Sequence, residues 1–240
     1  MWKKLAILLL SISAAAAAQS KPVVVVELFT SEGCSSCPPA DALLRDLQAH
    51  GFPGTELVLL GEHVDYWDHQ GWRDAFSSHQ FTARQQDYER QMHLSSAYTP
   101  QAVVDGRTET VGSEEDELRK AIADAAGKPK SLRLTVQWDA ATQTAHLQSE
   151  GTGAGELYLA VTEDGLSSMV KAGENDGRKL SHAAVVRRLI DAGRVQGAFR
   201  KDVHPPLDPQ WNAANLHLAA FVQDTATGAI LGATSAKLTP

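Results

Sequence analysis

Two cysteines carry the most pointed chemistry in this chain of 240 residues: Cys34 and Cys37, separated by two serines. A Cys-x-x-Cys spacing at a helix start sets the side chains one turn apart, with Cβ atoms ~5–6 Å from each other. A disulfide then closes with little backbone change. Cys34 would stand at the free N–H groups of the helix start, which favour a thiolate. A depressed pKa makes it the attacking sulfur and leaves Cys37 as the resolving one. Two other uses of the pair stay open. One is an inert crosslink, although so short a loop removes little chain entropy and stabilises weakly. The other is a Cu or Zn site in which His63 joins the two thiolates as a third ligand, in the manner of a metallochaperone. With two cysteines in all, a Cys-only zinc site is excluded.

These side chains need elements to hold them. Val23 to Val26 running into Glu27, Leu28 and Phe29 is an unalternating β-branched stretch, which suits a central strand covered on both faces. After the cysteines, Pro38 and Pro39 fit an opening helical turn, and Ala42, Leu43, Leu44 and Leu47 fall on one face. His50-Gly51 and Pro53 end that helix, and Leu57 to Val64 is a second strand. Strand, helix, strand predicts a parallel pair joined by a right-handed crossover. The carboxyl ends of both strands then share one edge, which brings His63 and Asp65 toward Cys34. Residues 66–98 are polar, helix-compatible and rich in aromatics. Ala102 to Val104, the Asp105-Gly106 turn and Glu109 to Val111 read as a hairpin, and Ser113 as the cap of a helix over Glu114 to Ala126. From Leu132 onward the pattern is mostly β, ending in a hairpin about Asp224 to Gly228. Residues 182–190 fit helix and strand spacing equally.

Composition narrows the function. With 43% hydrophobic and 21% charged residues the chain is globular, and 22 basic against 29 acidic side chains leave a formal charge of −7. That balance lacks the basic footprint of a nucleic-acid binder. Lys3 and Lys4 precede an apolar stretch from Leu5 to Ala18 that ends in alanines. It is shorter than the ~20 residues a membrane span needs, so 1–18 reads as a cleavable signal peptide and the mature chain as periplasmic or secreted. No other segment reads as a membrane span. Disulfides persist in such a compartment. Gly127 to Lys130 is the expected boundary between an α/β unit over 21–127, with an insert at about 66–98, and a β-rich unit over 130–240.

The order strand, Cys-x-x-Cys, helix, strand, insert, Thr-Pro, hairpin, helix resembles the thioredoxin superfamily. That resemblance implies a cis-proline facing the disulfide, which Pro100 matches, and a buried carboxylate on the strand leading to the cysteines, for which Glu27 is the nearest match. The sequence departs from thioredoxin in having no aromatic directly before Cys34 and no Gly-Pro between the cysteines. Substrate and potential are therefore not carried over. The segments VVVVELFTSEGCSSCPPAD, HVDYWDHQGW, YTPQAVVDG and SHAAVVRRL, with the leader, resemble more closely an uncharacterised family of bacterial secreted proteins, domain of unknown function 1223. The fold expected is α/β: a thioredoxin-like N-terminal domain with a helical insert, followed by a smaller, mostly antiparallel β domain. The function expected is thiol–disulfide exchange with protein or small-molecule thiols through Cys34, Cys37, Pro100 and Glu27, without a dissociable cofactor.

Overall fold

The valine run becomes the buried middle of β1 (Val23–Thr30), because both faces of this strand are covered. The computed structural model describes residues 21–238, so the expected signal peptide at 1–18 lies outside the described residues. After β1 come α1 (Pro38–His50), β2 (Glu56–His63), α2 (His79–Met92), the hairpin β3 (Gln101–Val104) and β4 (Thr108–Val111), and α3 (Glu115–Ala126). Strands follow almost without interruption: β5 (Leu132–Asp139), β6 (Thr144–Gly151), β7 (Ala154–Glu163), β8 (Leu166–Met169), β9 (Lys179–His182), β10 (Val185–Gln196), β11 (Phe199–Val203), β12 (Leu216–Gln223) and β13 (Ile230–Lys237). The parallel β1–β2 pair and the β3–β4 hairpin form as expected. The open segment at 182–190 is strand for most of its length. Helix α3 begins one residue later than expected, with Glu114 at the cap position and no side-chain cap, so Ser113 does not serve as one.

One eight-stranded mixed sheet runs in the order β13-β12-β7-β10-β2-β1-β3-β4 and takes strands from both halves of the chain. This overturns the expected thioredoxin-like N-terminal domain with a helical insert followed by a smaller β domain. The protein is mostly β, and of the 66–98 stretch only α2 is α-helical. The physical reason lies at β2. Its outer edge is taken by β10, with Val185 opposite Gly61 and the Gly61 N–H bonded to the Ala184 carbonyl at 2.8 Å. Glycine permits this approach, since a Cβ there would stand 3.2 Å from the Ala183 carbonyl oxygen.

Alternate residues of β1 divide the core. Val24, Val26 and Leu28 pack with Leu43, Leu44 and Leu47 of α1 and Leu118 and Ile122 of α3. Val25 faces the other way, toward Phe81 of α2, and Phe29 toward Tyr88. Farther along the sheet, Leu157, Leu159, Leu218 and Ala220 pack against Leu132, Leu134 and Leu147 of a three-stranded sheet, β11-β6-β5. The large sheet thus has α1, α3 and the small sheet on one face and α2 on the other. Among the described residues no helix is long and apolar enough to cross a membrane.

Candidate functional site

Strand β1 ends at Thr30, and the chain turns through Ser31, Glu32 and Gly33 before α1 begins at Pro38. Cys37 stands at the cap position and Cys34 lies ahead of the helix, in a turn closed by the Cys37 N–H on the Cys34 carbonyl at 3.2 Å. The two sulfurs form a disulfide, with the Cα atoms 5.4 Å apart. The field of the helix start therefore bears on Cys37 more directly than on Cys34. Both cysteines are fully buried, while Ser35 and Ser36 between them are exposed.

Two segments cover the turn. The Thr99–Pro100 bond is cis, and the Thr99 carbonyl accepts from Ser36 Oγ at 3.4 Å, so Pro100 lies in the segment against the motif. The larger cover is the loop between β8 and β9. Asn175, itself fully buried, donates through Nδ2 to the carbonyls of Glu32 and Cys34, both at 2.9 Å. Glu174 accepts from the Ser35 N–H at 3.0 Å, and Arg178 holds the Asn175 side-chain oxygen at 2.7 Å.

Beneath the disulfide turn, on the α1 face, lies a buried polar cluster. The first turn of α1 turns Asp41 inward, where Thr30 Oγ1 donates to it at 2.9 Å. His63, at the carboxyl end of β2, bonds Asp74 at 2.6 Å, and Asp74 also accepts from the Glu32 N–H at 2.9 Å. His182, from β9, contacts Glu32 at 3.2 Å and lies 3.7 Å from Asp41; its ring stands edge-on to that of His63, with centroids 4.8 Å apart. Trp72 Nε1 donates to Glu32 at 2.8 Å. Burial disfavours charge on His63, but the charge and hydrogen bond of Asp74, with the Asp41 and Glu32 carboxylates, together outweigh that and raise its pKa. Burial likewise opposes the Asp74 charge, and His63 overcomes it, so Asp74 is lowered. Burial raises Asp41 in spite of His182 and His63.

The structure places the anticipated residues unevenly. His63 does come to the edge of the sheet that carries the cysteines, but its Nδ1 is held by Asp74. Among the described residues no group of three or more His, Cys, Asp or Glu is arranged to hold a metal ion. Glu27 points to the opposite face. There Arg84 Nε bonds one of its oxygens and Tyr88 donates to the other at 2.5 Å, while Arg84 lies against the rings of Tyr158 and Phe221. The carboxylates beneath the disulfide turn are instead Asp41, Glu32 and Asp74. Sequence reasoning also missed Glu32, Asp74, Asn175 and His182. Asp41, Glu32 and His182 do fall inside the segments that carried the family resemblance.

A family model described as protein of unknown function (DUF1223) matches residues 25–223. The chain belongs to this family. No curated protein matches it significantly. Among solved structures, DUF1223 architecture as seen here is similar to protein AGR_C_4864 from Agrobacterium tumefaciens, at TM-score 0.74 and 26% identity over 90% of this chain and 94% of that one. It is also similar to HBP35 of Porphyromonas gingivalis, at TM-score 0.63 and 14% identity, covering 91% and 76%; that likeness is one of fold.

Proposed function

We propose that this DUF1223 protein is an extracytoplasmic thiol–disulfide exchange protein working through Cys34 and Cys37. The observation that carries the reading is the cluster of titratable groups, Asp41, His63, Asp74, His182 and Glu32, buried under the disulfide turn. Burying several ionisable side chains costs stability, and a short-loop crosslink has no use for them. They suit a site where protons must come and go as sulfurs change state. In the dithiol form, the Cys34 thiolate attacks one sulfur of a disulfide R–S–S–R′, forming a mixed disulfide and releasing R′–S⁻. Cys37, losing its proton, then attacks the Cys34 sulfur, closes the intramolecular disulfide and releases R–S⁻. Two electrons pass from the protein to the substrate; the reverse sequence oxidises a dithiol. A compartment where disulfides persist fits both the bonded pair and the leader-like residues 1–18.

Complete burial of both cysteines favours a second reading, a permanently closed crosslink. Exchange requires the loop carrying Asn175 to lift. The test is reaction of the purified protein with dithiothreitol under native conditions, followed by alkylation and mass measurement. Uptake of two alkyl groups by the native reduced protein, with the disulfide restored by an oxidised small thiol when alkylation is withheld, supports exchange. Labelling only after denaturation assigns the inert crosslink.

A further inference from the structure

Beside the disulfide turn, the first turns of α1 and strand β9 enclose a cleft of about 320 Å³, lined by Pro38, Pro39, Asp41, Arg45, Arg178 and Lys179 among others. Its charge runs against that of the whole protein, which is −7. Three cations meet there. Arg45 gives Nη1 to the Ser181 carbonyl and Arg178 gives Nη1 to the Asn175 side chain, both neutral partners. Among the described residues none of the three cations stands in an ion pair, although eight Lys or Arg contacts to carboxylates occur elsewhere. Unpaired cations converging on one concave site leave a field for an anion to fill. The cleft's one acid, Asp41, is buried, and its Oδ2 has no hydrogen-bond partner. Its oxygens turn inward, toward Thr30 and His182, so little negative charge faces the cleft.

We infer that this cleft binds the carboxylates of a small acidic thiol or disulfide, with Arg45, Arg178 and Lys179 as its anion contacts. The inference rests on the exchange function proposed above for the ligand's sulfur. The volume lies at the small end of ligand sites, and Pro38 in its lining directly follows Cys37, so the cleft adjoins the motif along the chain. Arg178 is also the residue that holds Asn175, and a carboxylate drawing Arg178 away removes one restraint on the cover over Cys34.

Binding is measured without exchange chemistry, using (methylthio)succinate, a dianion with no reactive sulfur, titrated into the oxidised protein and followed by amide NMR shifts. Saturable binding is expected, with S-methylcysteamine, a cation, giving none. Lys179 is exposed and, among the described residues, its side chain makes no hydrogen bond, so Lys179→Glu preserves the fold, and it is expected to weaken binding about tenfold. Raised salt is expected to act in the same direction. Absence of saturable binding, equal binding of the cation, or indifference to Lys179→Glu overturns the inference. A separate arm mixes reduced protein with dithiodisuccinate and with cystamine. If neither is reduced while (methylthio)succinate still binds, the exchange function fails and the anion cleft stands.

Discussion

Glu62 is the least satisfied side chain in the core. It lies on the α2 face of β2, fully buried, with no hydrogen-bond partner for either carboxyl oxygen. Burial raises its pKa well above 4.5, the Glu27 charge adds to that, and Arg84, 3.7 Å away, offsets only part because it is already paired with Glu27. A folded-state pKa above the unfolded value means that the native state prefers the protonated form. The stabilising contribution is therefore complete below about pH 4.5 and declines as pH rises through the folded value. Glu62→Met should remove this decline and raise stability at pH 8 by about 1–3 kcal/mol, read from urea melts at several pH values. Arg84→Met should cost about 3–5 kcal/mol, since it strands the Glu27 charge. Asp74 behaves oppositely to Glu62 at acid pH, whereas His63 shares its direction. The lowered Asp74 contributes above 3.8 and is lost as pH falls through its folded value; the raised His63 contributes below 6.5 and is lost as pH climbs through its own. Their bond contributes fully between those limits, so His63→Gln should lower stability there and remove the decline seen as pH rises above 6.5, read from melts at several pH values. The sequence marks Glu27 as a buried carboxylate but not the side it faces, because seven of the eight residues of β1 are buried and no alternation distinguishes the two faces.

At the scale of elements, the loop between β8 and β9 controls access to the disulfide. Its grip is polar: Asn175 on two carbonyls, Glu174 on the Ser35 N–H and Arg178 on Asn175. Apart from Asn175, residues 173–179 are exposed, and Val170 at the loop's base is its one buried apolar side chain, so the tip can lift at low free-energy cost. Asn175→Ala leaves two buried carbonyls without their donor and should raise the rate of Cys34–Cys37 reduction by dithiothreitol about tenfold, timed by alkylation, while global stability falls by about 1–2 kcal/mol. An unchanged rate would place the barrier elsewhere. This cover was invisible in the sequence for a physical reason: its glycines, acids and one asparagine look like any solvated turn, and its role comes from pairing across 141 residues to Cys34. By contrast α1, β2 and the β3–β4 hairpin were legible, since each is specified by local periodicity and turn residues.

For the whole molecule, the decisive contact is the β2–β10 seam, where the N-terminal strands meet those of the C-terminal half. Equal helix and strand spacing at 182–190 concealed β10, and with β10 concealed the halves read as two domains. Val58 and Leu60 of β2 pack in one cluster with Ala160, Val186, Ala219 and Phe221, so each half supplies core to the other. A chain ended at Lys130 would bare the β2 edge and half of that cluster. It should therefore show no dispersed amide spectrum, whereas a chain of residues 21–240 should unfold in one urea transition seen alike by fluorescence and circular dichroism. Gly61→Val tests the same seam within the intact chain. Its Cβ would meet the backbone oxygens of Ala183 and Ala184 at 3.2 and 3.4 Å, and a branched side chain adds to the crowding. The expected cost is about 1–3 kcal/mol, with both probes shifting together. Because Ala184 leads back through His182 to the cluster under Cys34, the same substitution should speed dithiothreitol reduction; an unchanged reduction rate, or a fragment of 21–130 that folds, would refute this coupling of the halves.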